Sequence, residues 1–400
     1  MAMALQLPGA IALVHEWLTP RSVGGAEAVV RELDTLLQPQ LFSLVDGESR
    51  RSGSWLEGRR IETSFIQRLP FGVSHVQQYL PLLPLAIEQL DLSGYPLVVS
   101  SSHLVAKGVL TGPDQLHVSY VHTPVRYAWD QMHAYLAASH LAGLPCLGPW
   151  IRWQLHLLRQ WDQLSSARVD QLVANSRFTA RRIWRCWRRH AKVIHPPVAV
   201  ERFRWDLPRD DFYLCLCRLV PYKRVDLVVQ AFNRLGLPLL VVGEGPERRR
   251  LQAMAGGSVQ LLGHRPAAEV EELMGRCRAY VQAGLEDFGI AAVEAMAAGA
   301  PVIGLGQGGL LDTVRCLRAG EANPTGLHFQ RQEVPDLVAA VEVFERQRLW
   351  QALPAEGQRR CAEQFSPGHF RHRMGRSLAA CWDHFQRHGP WALATPSPQG

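Results

Sequence analysis

The stretch LEDFGIAAVEAMAAGAPVI, residues 285–303, sets two carboxylates, Glu286 and Glu294, eight positions apart across an acid-aromatic-glycine turn. Before it lies AYVQAG (279–284) and at its end APVIGLG (300–306), two short apolar runs. The alanines of IAAVEAMAA are strong helix formers, and Gly299 fits the position just past a helix end. Strand, turn, helix and strand in succession are the repeating unit of a parallel sheet buried on both faces. A helix opening at Gly289 and Ile290 offers unpaired backbone N–H groups and a positive dipole end, which suit a phosphate. Glu294, about one turn further on, can accept hydrogen bonds from two neighbouring ribose hydroxyls. Glu286 stays outside the helix at the strand end, so the two acids have different tasks.

The same alternation runs outward in both directions. FYLCLCRL (212–219), LPLLVVGEG (237–245) and VQLLG (259–263) read as further strands of this second half. In the first half AIALVHEW (10–17), YPLVVSSS (95–102), LHVSYVHTP (116–124) and DQLVANS (170–176) read as strands, with GGAEAVVRELDTLL (24–37) as a helix opening on two glycines. Ligands of such sheets bind outside the carboxyl ends of the strands. That puts Gly24, Gly25, Ser100 to His103 and His122 on one rim. Pattern is lost around Pro196, Pro197 and Pro208, and a domain boundary is expected there. The expected division is 1–200 and 201–364, a long helix near 365–390 opened by Ser366 and Pro367, and a disordered tail over 391–400.

Composition excludes several classes. Four hundred residues exceed one core's usual reach, while 47% hydrophobic and 20% charged residues describe a globular chain. No long uncharged apolar run suggests a spanning helix, and the N-terminus reads as a strand rather than a leader, so a cytoplasmic location is expected. Eight cysteines without C-x-x-C pairs argue for free thiols over a disulfide framework or a zinc knuckle. The net charge of +7 favours phosphate-bearing partners. It is concentrated in RFTARRIWRCWRR (177–189), six arginines and two tryptophans, with PWIRWQLHLLRQW (149–161) just before. This segment is either a solvated basic face or an interfacial surface at an anionic membrane. Nucleic acid is not expected as a partner, since no binding module accompanies the charge.

EDFGIAAVEAMAAGAPVIGLGQGG resembles the signature of retaining glycosyltransferases of family 4. CRLVPYKRVDLVVQAF (217–232), VVGEGPERRRL (241–251), ANSRFTARRI (174–183), VGGAE (23–27) and YVHTPVRYAWD (120–130) resemble further elements of that family. The resemblance implies the GT-B fold: two facing Rossmann-like doubly wound domains with a cleft between them, and a C-terminal helix crossing back to the N-terminal, acceptor-binding domain. It implies that Arg218 and Lys223 neutralise the leaving pyrophosphate, and that Gly243, Phe288, Gly289, Ile290, Glu294, Gly24 and Gly25 contact the donor. His122 and Glu286 become the catalytic pair, acting by positioning and electrostatic stabilisation, with Arg126 and Tyr127 on the acceptor side. Cys217 stands where the family has glycine, and Asp312 where it commonly has glutamate. A nucleoside diphosphate sugar would be the substrate, GDP-mannose the leading donor, and a glycan or lipid-linked molecule the acceptor. No metal or other cofactor is expected, as there is no D-x-D pair and the cations can replace a divalent ion.

GLGQGG (304–309) satisfies G-x-G-x-x-G, but it falls late in the chain without a ribose-binding acid at a strand end, against a dinucleotide oxidoreductase. Two rivals stay open at this point: a nucleotide-sugar epimerase of the same fold, and a basic membrane-binding protein without transferase activity.

Overall fold

A computed structural model describes residues 7–20, 24–138, 143–145, 147–320 and 322–389. The expected tail (391–400) and Cys146 lie outside these residues. The chain divides into two compact units, one running to Pro196 and resuming at Phe370, the other spanning Pro197–His369.

The first unit is built on seven strands: β1 (Ile11–His15), β2 (Gln40–Ser43), β3 (Ile61–Thr63), β4 (Leu97–Ser102), β5 (Leu116–Val121), β6 (Gln171–Ala174) and β7 (Lys192–Val193). They lie in the order β3-β2-β1-β4-β5-β6-β7, each pair parallel. Every residue of β1, β4 and β5 is buried, as expected of strands covered on both sides. Alternation sorts them between two cores: Ala12, Val14 and Val98 face one, Leu13, Leu97 and Val99 the other. The second core is closed by the Pro367–His388 helix, whose Phe370, Met374, Leu378 and Phe385 join it. Their spacing sets them on one helix face, and burying each contributes about 1.5–3 kcal/mol. The helix starts as its sequence directs, with Pro367 first and Ser366 Oγ 3.5 Å from the His369 N–H.

The second unit repeats the plan with β8 (Tyr213–Leu216), β9 (Leu239–Val242), β10 (Val259–Gly263), β11 (Ala279–Gln282), β12 (Val302–Leu305) and β13 (Gly326–Phe329). Their order is β10-β9-β8-β11-β12-β13, again parallel. In each sheet the strand order reverses beside the first strand, between β1 and β4 and between β8 and β11. These are the crevices where α/β sheets accept ligands, and both candidate constellations lie at them.

Candidate active site

In the second unit the loop after β8 carries Arg218 and Lys223, and the loop after β11 carries Gly284 to Gly289. The two loops are pressed together. A Cβ on Gly284 would lie 3.0 Å from Lys223 Cα, so glycine is what lets the lysine backbone approach. Lys223 Nζ then reaches Glu286 Oε1 at 2.5 Å, with only 19% and 13% of the two side chains exposed. Burial alone would lower the lysine pKa, but the charge and hydrogen bond of Glu286 outweigh it and leave the ammonium above its ordinary value. Arg218 is differently placed: it is exposed, with no such pairing among the described residues. The two cations expected to act as a pair thus occupy unlike environments.

The turn at Glu286 to Gly289 is shaped by a second contact. Gly309 donates its N–H to Glu286 O at 2.8 Å, and a Cβ at Gly309 would fall 2.3 Å from Asp287 O and Phe288 Cα. A Cβ at Gly308 would fall 2.5 Å from Glu286 O. Gly308 and Gly309 of GLGQGG therefore serve close packing against this turn, which explains the end of a motif that resembled a dinucleotide loop. Gly289, at φ 90°, starts the Ile290–Ala297 helix in a backbone region that favours glycine. Phe288 is 4% exposed and packs edge-on to Phe365 at 5.4 Å, so its ring belongs to the core. Ile290 is half-buried. Glu294 is largely enclosed, and burial, opposed by Arg202 and aided by Glu271, lifts its carboxyl above the ordinary value. A desolvated carboxyl without an ion pair among the described residues is suited to accepting hydroxyl hydrogen bonds. Gln282, at the end of β11, went unnoticed in the sequence: it is 8% exposed, its Nε2 has no partner among the described residues, and that atom lies 3.5 Å from where a Gly289 Cβ would stand.

Gly243, at φ 137°, sits where a Cβ would meet Cys217 O at 1.9 Å. The Gly-x-Gly-Pro loop is therefore stacked directly on the Arg218 loop, with Leu219 donating to Glu244 O. Cys217 is half-buried.

In the first unit His122 stands just beyond β5. Its Nε2 lies 2.9 Å from Ser101 Oγ, and its carbonyl accepts from Asn175 Nδ2 at 2.9 Å. Arg182 grips the following loop, donating to Thr123 Oγ1 and to Asp130 Oδ1, both at 2.5 Å. The ANSRFTARRI and YVHTPVRYAWD motifs are thus one clamp that fixes His122. Arg126 is half-buried, and Tyr127 packs against the core with its ring 5.7 Å from Tyr135, so burial pushes its phenol up. Gly24 is extended, and a Cβ there would meet only Glu27 Oε2, at 3.4 Å. The fold itself makes no demand for glycine at that position; Gly25 opens the helix that follows.

The same rim holds a cluster of which the sequence reading named only His103. His15, Glu16 and His103 bring nitrogen and carboxylate atoms within 4.8 Å of one another. Glu16 Oε1 already accepts from Ser102 Oγ and from the N–H groups of His103, Leu104 and Ala106, at 2.8 to 3.1 Å. Its Oε2 lies 3.0 Å from His103 Nδ1. Oε1 is committed to four donors and Oε2 stands in ion-pair contact with His103, so the group reads as a buried ion pair rather than a metal centre. The signal was present as His-Glu at the end of one strand and Ser-Ser-His at the end of its neighbour, but nothing local links them.

The family model for glycosyl transferases group 1 matches residues 199–364, nearly the whole second unit. A GDP-mannose-dependent alpha-mannosyltransferase of Mycobacterium tuberculosis is 29% identical over 354 residues, covering 84% of this chain and 89% of that protein. A D-inositol 3-phosphate glycosyltransferase of Geodermatophilus obscurus is 30% identical over 235 residues, half of each chain. Among solved structures, sucrose-phosphate synthase of Thermosynechococcus elongatus superposes with a TM-score of 0.68 at 18% identity, over 94% of this chain and 99% of that one. Anabaena HepE with UDP and glucose gives 0.65 at 18% identity, over 92% and 99%. Residues 199–364 are a glycosyl transferases group 1 domain, and the chain that carries them is a glycosyltransferase of the GT-B fold.

Proposed function

We propose that the protein is a retaining hexosyltransferase that moves mannose from GDP-mannose to a glycan or lipid-linked acceptor without a metal ion. The observation that carries this is the meeting of Lys223 and Glu286 at the crevice of the second sheet, beside a helix N-terminus and the enclosed Glu294. In the reaction the bond from the sugar C1 to the β-phosphate oxygen breaks, the acceptor oxygen bonds C1 on the same face, and its proton leaves with the nucleoside diphosphate. Lys223 and Arg218 offset the charge that grows on that leaving group. Glu286 holds the lysine and is within reach of sugar hydroxyls, while Glu294 and the Gly289 helix start bind ribose and phosphate. Backbone near Gly243 contacts the base. In the first unit Gly24 and Gly25 allow the backbone to approach a ligand, and His122, Arg126 and Tyr127 serve the sugar and the acceptor. The choice of mannose follows the relatives named for GDP-mannose.

Thermal shift against UDP, GDP, ADP and their sugars tests the donor. At a hundredfold excess over Kd, GDP-mannose is expected to stabilise the protein by about 2.7 kcal/mol, a rise of about 5 °C or more, and Glu294→Ala is expected to lose it. Indifference to every nucleotide would overturn the reading; consumption of the sugar nucleotide without an acceptor would favour epimerisation.

We further propose that the acceptor is presented at an anionic membrane. Among the described residues no helix is long and apolar enough to cross one, but the Leu147–Ser166 helix carries Leu147, Trp150, Trp153, Leu157 and Leu164 exposed at 39% to 72%. Spacings of three, three, four and seven set them on one face. The Arg177–Trp187 helix packs beside it and leaves Arg181, Trp184, Arg185 and the following Arg188 exposed. An apolar stripe with tryptophans flanked by arginines suits the interface of an anionic bilayer. The rest of the basic segment has other work: Arg182 is buried in the clamp on Asp130, Arg189 donates to Ser166 and Val169 carbonyls, and Trp187 is 5% exposed. Replacing Arg181, Arg185 and Arg188 by glutamine is expected to weaken binding to phosphatidylglycerol vesicles on the order of 100-fold, at about 1 kcal/mol per arginine. Unchanged sedimentation with vesicles would overturn the membrane reading.

A further inference from the structure

The first unit's crevice holds a buried ion pair that the proposed chemistry leaves unused. Glu16 follows β1 and is fully buried; His103 follows β4, the neighbouring strand, with 26% of its side chain exposed. Four donors on Glu16 Oε1 fix the carboxylate's position and simultaneously tie the backbone from Ser102 to Ala106 to it. Oε2 is left for His103 Nδ1 at 3.0 Å. An ionised carboxylate with no solvent needs a compensating charge, and His103 is the group in contact that can supply one. His15 cannot: its Nδ1 lies 3.0 Å from Ser101 O, its Nε2 has no partner among the described residues, and burial pushes its pKa down.

With Nδ1 in ion-pair contact with Glu16 Oε2 at 3.0 Å, the ring nitrogen left for a ligand is Nε2, on a side chain that is 26% exposed. The ring is wedged against Trp17 at 4.8 Å, edge-on, and stands 6.4 Å from that of His122. His122 is itself tied to the same strand end through Ser101 Oγ. We propose that Glu16 is a positioning residue that holds His103 as an imidazolium, and that the Nε2–H of His103 donates a hydrogen bond to a hydroxyl of the sugar or acceptor beside His122. This rests on the reading of the chain as a sugar transferase. A hydroxyl is favoured over a phosphate because Glu16 already offsets the ring's charge and Glu27, on the Gly25–Leu37 helix, adds negative charge nearby.

The protonation state follows from the surroundings. Burial would lower the His103 pKa, but the charge and hydrogen bond of Glu16, with Glu27, raise it above the ordinary 6.5. The other titratable groups facing the rim are His15 and Tyr120, whose burial keeps both neutral, and His122. Only the imidazolium has an Nε2–H while Nδ1–H serves Glu16; the neutral ring has a lone pair there. The contact is therefore complete below pH 6.5 and lost as pH rises through the elevated folded value. The stability that the ion pair contributes follows the same direction.

Imidazole nitrogen NMR of the full chain, titrated with pH, tests the pair independently of activity. One histidine is expected to titrate above 6.5; His103→Gln removes that resonance, and Glu16→Gln moves it down. In transfer assays His103→Gln is expected to lower kcat/KM about 10- to 100-fold, the worth of one charged hydrogen bond, and to abolish the alkaline fall of kcat/KM. Glu16→Gln is expected to do the same, with no further loss in the double variant. Should Glu16→Gln fail to fold, His103→Gln and His103→Asn leave the buried carboxylate's backbone partners in place and still decide. A His103 titration unmoved from 6.5, or full kcat/KM with the alkaline fall intact in His103→Gln, would overturn the inference. A wild-type chain inert with every nucleotide sugar would overturn the transferase reading instead, with the titration still judging the ion pair.

Discussion

Lys223→Ala is expected to lower kcat/KM for sugar transfer by about 10²–10³-fold, the loss found when one preorganised charge-stabilising donor is removed from an active site. The argument rests on where the ammonium sits. It is largely enclosed and held at 2.5 Å from Glu286, so in the proposed reaction it would meet developing charge without having to reorganise. Removing it has a second effect: Glu286 loses its counter-charge at the point where the leaving group's charge grows, so the variant adds repulsion to lost attraction. Lys223→Arg restores the charge but not the point geometry, because the loops are packed so closely at Gly284, and is expected to recover only part of the rate. Since Arg218 is exposed, Arg218→Ala is expected to be milder. Steady-state kinetics on both variants, with thermal unfolding as a control, decides. Near-normal turnover in Lys223→Ala with an intact fold would remove the cation from the mechanism.

The strands that sequence reading located are those whose burial is written as continuous apolar residues, such as Leu97–Ser102 and Val302–Leu305. It passed over β2, β3, β7 and β13 for physical reasons. Lys192–Val193 is two residues long, Ile61–Thr63 is three half-buried residues at a sheet edge, and Gly326–Phe329 contains a histidine and a glycine. The glycine is needed there because a Cβ would fall 1.9 Å from Val302 O. Such segments become strands through their neighbours, not through their own pattern.

The site divides in the same way. Glycine 289 and the helix it starts, or the two cations after β8, are local features and could be read directly. Contacts that join distant strand ends could not: Lys223 with Glu286 spans 63 positions, and Glu16 with the His103 backbone spans 87. The sheet order brings them together, and that order is not visible in any window of sequence. Composition misled in one place. The arginines and tryptophans of 177–189 read as a single basic surface, yet the helix turns Arg182 and Trp187 inward and Arg181 and Trp184 outward, so one segment serves two purposes.

Asp162→Ala is expected to destabilise the first unit by about 3–5 kcal/mol, the cost of leaving a buried charge without its partner. Asp162 is fully buried, and Lys107 is 1% exposed. Lys107 Nζ lies 2.6 Å from Asp162 Oδ1, while Trp129 and Trp187 each donate an indole N–H to Oδ2 at 2.7 Å. The ammonium also rests over the rings of Trp161 and Trp187 at 5.0 and 4.9 Å. One carboxylate therefore joins the 106–108 turn, the loop after β5 and the two helices proposed to face the membrane. Truncation strands the cation and two indole donors at once. Asp162→Asn keeps the shape and one acceptor oxygen but not the charge, and is expected to fall between. Lys107→Met with Asp162→Leu removes both charges and is expected to be less damaging than Asp162→Ala alone, since only the indole donors then lack partners. Thermal unfolding followed by tryptophan fluorescence measures this ordering, with a fall of about 10 °C expected for Asp162→Ala. A double variant worse than either single change would show that the pair's charges are not what the unit is built around, and that the indole hydrogen bonds hold it instead.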